Sequence, residues 1–260
     1  MNRNRHTARL GALLLGALVA TTGWAQQPAT AAPAAAAVNP VAPEAIQALK
    51  DMGTYLQTLQ RFSVTTRVTG ERVLADGQKL QHSAKATMDV ARPNRLRARI
   101  TTARAERELT FNGKVATLYT PAQKYYSSVE VDDTVTGLVR RLHQRYGIEV
   151  PLADLFLWGT AAAPLEGFES AMNAGQDFVD DDLCDHYAFR QGSLDWQVWI
   201  KAGSQPLPRR LVITNRADEA RPQSVSLIQW NLKPTFKDAI FTLVPSPGAQ
   251  RVELVPLKTR

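Results

Sequence analysis

Between residues 44 and 60 the apolar residues Ile46, Leu49, Met52, Leu56 and Leu59 recur at three- and four-residue steps, the period of one helical face. That face needs a large apolar partner. From Phe62 the period shortens to two, with Phe62, Val64, Thr66 and Val68 alternating with polar neighbours. Asp76-Gly77 supplies a turn suited to positive backbone dihedrals, and residues 79–90 return as the second arm. Arg92-Pro93-Asn94 breaks the run before residues 95–102. Asn112-Gly113 turns between residues 108–111 and 115–119, and Pro121-Ala122-Gln123 leads into 125–131. Consecutive hairpins of this kind predict an antiparallel meander.

Helical spacing then returns. Val135, Leu138, Val139, Leu142 and Tyr146 fall on one face of residues 134–146, opposite Arg140, Arg141, Gln144 and Arg145. Pro151 opens a second, shorter helix over 151–158, where the missing N–H of a first turn has no partner to lose. Strands resume at 184–190, 195–201, 209–216 and 223–232. The total of about ten or eleven is too many for a flat open sheet, which curls or closes. Trp196, Val198 and Ile200 point one way and Trp199 the other, while Val225 and Leu227 oppose Ile228 and Trp230. Bulky apolar residues on both faces fit a mainly β chain with helices, its antiparallel sheet curved around a lipophilic interior.

Composition adds the compartment. The 260 residues are 44% hydrophobic and 21% charged, as in an ordinary globular protein. Arg3, Arg5 and Arg9 precede an apolar run over residues 10–20, followed by Gly23-Trp24-Ala25. These are the parts of a cleavable export signal, residues 1–25, cut after Ala25. The run falls short of the roughly 20 apolar residues that cross a bilayer, so the processed chain is not expected to be an integral membrane protein. Residues 26–43 are rich in Ala and Pro and are expected to be a disordered tether. One domain spans 44–250, with a tail over 251–260. Removing the leader takes three arginines from a net charge of +7 and leaves +4, which does not argue for nucleic acid. Cys184, the only cysteine, cannot form an intrachain disulfide, so the core must hold the fold. It reads as a buried packing residue, with a reactive thiol or an intermolecular bridge as the alternatives.

Catalytic signatures are missing: no GxSxG elbow, phosphate-cradling glycine loop, HExxH or CxxC. Asp180-Asp181-Asp182-Leu183-Cys184-Asp185-His186 could hold a divalent metal or activate a thiolate. On a strand, however, Cys184 and His186 share a face and Asp185 lies opposite, and the aspartates before them read as a solvated turn. No catalytic residue, metal or cofactor is therefore expected. Arg95, Arg97 and Arg99 alternate with Leu96, Ala98 and Ile100, near Arg92, Arg104 and Arg107. That row could hold phosphate or carboxylate headgroups, or be a solvated face paired with Glu106 or Glu108. No aromatic residues interleave with it as in single-strand nucleic-acid sites.

Tyr146-Gly147-Ile148-Glu149-Val150-Pro151-Leu152-Ala153-Asp154-Leu155, Trp158-Gly159, residues 184–191, residues 195–200, Pro206-Leu207-Pro208-Arg209 and Trp230-Asn231-Leu232 together resemble a bacterial family of predicted periplasmic proteins, domain of unknown function 2092. The resemblance extends from about Glu44 to Gln250. It implies the LolA superfamily of lipoprotein carriers and lipid sensors, an incomplete antiparallel β-barrel whose concave apolar face is covered by helices. The family brings no activity, and fold alone assigns none. The expectation is a periplasmic binding or carrier protein, with further export left open, that shelters a lipid, acyl chain or lipoprotein group. Leu155, Phe156, Trp158, Tyr187, Phe189, Trp196, Trp199 and Trp230 would line the interior, or simply fill a core. A sensor or scaffold acting on an envelope protein partner is the alternative reading, and a hydrolase a more distant one.

Overall fold

A computed structural model describes residues 40–257. The expected signal peptide, the tether as far as residue 39 and the last three residues lie outside the described residues. Helix α1 (Pro43–Thr58) carries its proline in the first turn and buries Ala45, Leu49, Met52, Gly53 and Leu56. Six strands follow: β1 (Arg61–Val73), β2 (Lys79–Ala91), β3 (Arg95–Thr102), β4 (Glu106–Phe111), β5 (Val115–Thr120) and β6 (Tyr125–Glu130). Their ends lie where the turn residues predict them.

Helix α2 (Val135–Tyr146) is capped at both ends. The Thr134 side chain accepts from the Gly137 N–H, and Gly147 closes the helix in the left-handed conformation. The second expected helix is only a 3-10 turn, Ala153–Phe156. Leu152 stands at φ 53° before it and Gly159 at φ 77° after it, so regular helix has room for little more than one turn. Five strands then complete the second half: β7 (Phe168–Val179), β8 (Asp182–Gln191), β9 (Leu194–Lys201), β10 (Pro208–Asn215) and β11 (Gln223–Asn231). β12 (Gln250–Arg251) is a short final addition.

Among the described residues the strands form one open sheet in the order β12-β6-β5-β4-β3-β2-β1-β11-β10-β9-β8-β7. Every pairing is antiparallel except β12 on β6. The twelve strands exceed the ten or eleven expected because β7 and β12 carry no alternation to betray them. The sheet curves around α1, α2 and the Ala153–Phe156 turn, and the main core joins these elements to its concave face.

The outer face is covered in part by the C-terminal segment. A second 3-10 turn, Asp238–Phe241, packs on β3 and β4 and buries Phe241. Asn112 donates to the Thr242 hydroxyl, the Tyr119 and Ser246 hydroxyls share a bond of 2.6 Å, and Gln250 N–H donates to the Lys124 carbonyl. Beyond β12, Leu257 N–H donates to the Arg145 carbonyl at 2.8 Å, at the end of α2. The chain expected as a tail thus straps the sheet to a helix.

Candidate functional site

Strand parity sends Tyr187, Phe189, Trp196, Val198 and Ile200 to the concave face, where they meet Leu155, Phe156 and Trp158 from the inserted segment. Phe189 and Trp196 stack with ring centroids 4.2 Å apart, Trp158 lies 6.3 Å from Trp196, and Trp230 lies 5.6 Å from Phe62. Phe168, absent from the expected set, joins Phe189 at 5.5 Å and Trp196 at 6.4 Å. Its only sequence signal is an aromatic residue opening a strand that shows no regular alternation.

Six of the eight expected lining residues, Leu155, Phe156, Trp158, Tyr187, Phe189 and Trp196, are at most 9% exposed and belong to one cluster, so in this conformation they fill the interior. Trp230 is half-buried and donates its indole N–H to the Pro208 carbonyl. Trp199 is on the other side of the sheet. It lies between the His186 ring, stacked at 3.9 Å, and the Arg210 guanidinium, 4.6 Å from its centroid, within an outer cluster with Val179, Cys184 and Val212. A single-residue step along β9 puts it there, and it lines nothing on the concave side.

The inserted segment docks on α1 through backbone. A Cβ on Gly53 would come within 2.5 Å of the Gly159 nitrogen, and one on Gly159 within 2.4 Å of the Gly53 carbonyl oxygen. Gln57 donates to the Trp158 carbonyl at 2.6 Å, and the Thr136 hydroxyl of α2 donates to the Phe156 carbonyl at 3.1 Å. Two helices therefore hold one turn over the aromatic floor.

The arginine row is paired with carboxylates. Arg97 and Arg99 both pair with Glu108, at 2.8 and 2.9 Å, Arg99 also reaches Glu106 at 3.2 Å, and Arg95 lies 3.8 Å from Asp238. All three arginines sit on the outer face, away from the aromatic interior. Arg92, in the loop after β2, differs: its guanidinium lies 5.8 Å over the Phe156 ring, and its Nε is buried without a partner.

The Asp180–His186 constellation comes apart in space. Asp182 pairs with Arg209 and Lys201, Asp185 accepts from Gln176 on the concave side, and Cys184 and His186 face outward. The Cys184 thiol is fully buried, and burial followed by the Asp185 charge pushes its pKa up, which disfavours the thiolate. Among the described residues no group of three or more metal-ligating side chains converges, and no helix is long and apolar enough to cross a membrane.

Residues 45–255 match the model of a family described as predicted periplasmic protein, DUF2092. The comparison with curated proteins gives no match. Solved structures to which the chain is similar include LprF from Mycobacterium bovis, at 15% identity over 75% of this chain and 97% of that one, with a TM-score of 0.45. The lipoprotein LppX from Mycobacterium tuberculosis is 12% identical over 75% and 98%, with a TM-score of 0.47. A LolA superfamily protein from Nitrosomonas europaea is 11% identical over 76% and 97%, with a TM-score of 0.34.

Proposed function

The chain belongs to the DUF2092 family of predicted periplasmic proteins, and we propose that it works as an exported carrier that shelters an acyl chain inside the curved sheet. The leader over residues 1–25 directs export; of the stretch 26–43 expected as a tether, the end belongs to the domain, since Ala42 N–H donates to the Ala171 carbonyl, Val41 bridges to Ala171 and Pro43 opens α1. The observation that carries this reading is the aromatic floor of Phe168, Phe189 and Trp196 beneath a single 3-10 turn held by helix contacts. That turn is the movable part. Lifting Leu155 and Phe156 would vacate the space above the floor, and a hydrocarbon chain would replace their buried area.

Burial of apolar surface is non-directional, so the floor recognises chain length and width rather than a particular head. The expected result is saturable binding of a fluorescent fatty acyl probe, displaced by unlabelled fatty acid. Leu155→Ser or Phe156→Ser, which weaken the turn's hold, should change the rate at which the probe is released. A native chain that neither binds the probe nor shifts its melting temperature with any acyl ligand removes the proposal. Native mass spectrometry of protein taken from the periplasm would give the mass of any resident cargo.

Docking of a protein partner is the second reading, favoured by the edge strand β7. From Met172 to Phe178 it is exposed throughout, with Phe178 at 68%. Crosslinking that captures a partner without lipid in the core would favour it over the carrier.

A further inference from the structure

Most arginines on this chain are either paired with carboxylates or spread in solvent. Arg92 is neither. It is half-buried where three parts of the molecule meet. Its own N–H donates to the Gln60 carbonyl just past α1, the next carbonyl, Pro93, accepts from Val135 N–H at the start of α2, and its guanidinium lies over Phe156. Among the described residues its side chain makes no ion pair or hydrogen bond, and its Nε is closed off from solvent. Burial pulls the guanidinium below its ordinary value. Arginine does not shed its proton in proteins, so the charge stays and no carboxylate offsets its partial desolvation.

Resting on the carrier reading above, we propose that Arg92 receives the anionic headgroup, carboxylate or phosphate, of the amphiphile whose chain the concave face holds. The planar fork of a guanidinium matches two oxygens of either group, and its half-buried setting strengthens the charge-assisted bonds. Its place over Phe156 puts this receptor at the seam that must part for a chain to enter. The outer row Arg95, Arg97 and Arg99 cannot serve in the same way, because Glu108, Glu106 and Asp238 already hold it.

The test uses the exported, processed protein and displacement of a fluorescent acyl probe by oleate, mono-oleyl phosphate and oleyl alcohol, which share one chain. Inorganic phosphate and acetate serve as free anions. At least one anionic amphiphile should bind about tenfold more tightly than the alcohol, the margin of a charge-assisted pair. Arg92→Met should erase that margin while leaving the alcohol's affinity unchanged, and Arg92→Lys should keep part of it. Equal affinity for all three amphiphiles in the native chain, or a margin that survives Arg92→Met, overturns the assignment and leaves the carrier reading intact. Displacement by inorganic phosphate or acetate alone makes Arg92 a free-anion site and overturns it too, whereas failure of every amphiphile to displace or bind overturns both. If Arg92→Met does not fold, the native-chain comparison decides: no margin over the alcohol, no headgroup receptor.

Discussion

Glu108 projects from the outer face of the sheet, yet it is only 6% exposed, with Arg97 and Arg99 both held against its carboxylate. Burial by itself pushes the carboxyl up, but the hydrogen bonds and charges of Arg97 and Arg99 outweigh it and hold the group below the ordinary glutamate range. A carboxyl lowered on folding stabilises the native state fully above its unfolded value, about 4.3, and loses that contribution as pH falls toward the lowered folded value. Denaturant unfolding should therefore show stability falling through that acid window. Glu108→Gln should cost about 1–3 kcal/mol at neutral pH and flatten the acid slope. A variant with unchanged stability and slope would show that the strap, not the ion pairs, holds this face. The outer position of the arginine row was legible in the sequence, since alternation with Leu96 and Ala98 fixes the face and Glu106 and Glu108 stand nearby. The isolation of Arg92 was not, because the want of a partner is a fact of three-dimensional neighbours and not of spacing.

The inserted segment is held by close approach as much as by its side chains. Gly53 and Gly159 let α1 and the turn touch backbone to backbone, so a single methyl has nowhere to go. Gly53→Ala should cost about 1–3 kcal/mol of stability through overpacking. It should also raise amide hydrogen exchange across residues 153–160 more than in β8 and β9, and uniform protection would argue against a separately opening turn. Among the strands, those bounded by Asp76-Gly77 and Asn112-Gly113 were legible because the turn chemistry and the period of two agree. β7 was not. Its stretch from Met172 to Phe178 is exposed along its length, so no buried face imposes an alternation, and only its ladder with β8 and the bulge between Asn173 and Gly175 define it. Trp199 shows the opposite case: parity alone, which set it against Trp196, outweighed its aromatic character.

Across the whole molecule the carrier reading carries a length requirement. Taking Leu155 and Phe156 out of the core costs about 1.5–3 kcal/mol each. A hydrocarbon chain recovers about 0.8 kcal/mol per buried methylene, so about four to eight methylenes only offset the opening. Displacement titrations should therefore show hexanoate failing and palmitate succeeding, with affinity rising steeply between them. A flat dependence on chain length would mean that the hydrocarbon is not buried and would remove the acyl reading. An interior lined with aromatics followed from the bulky residues on both strand faces, but its being filled by the chain's own inserted segment did not, since only the fold brings Trp158 onto Trp196.

The strap that ends on α2 also decides how copies of this sheet can meet. Its β12 pairs with Tyr125 and Tyr126 of β6, and the Ser127 hydroxyl donates to the Val252 carbonyl, so that margin of the sheet is occupied from within. Beyond Ala171, which bridges to Val41, the β7 margin has no strand beside it other than β8 among the described residues. A sheet with two bare margins can add copies without end, as a fibre does, whereas a sheet with one can only join its like and stop. The long edge on which another strand could pair is therefore β7, whereas the opposite side of the sheet ends on the two-residue β12.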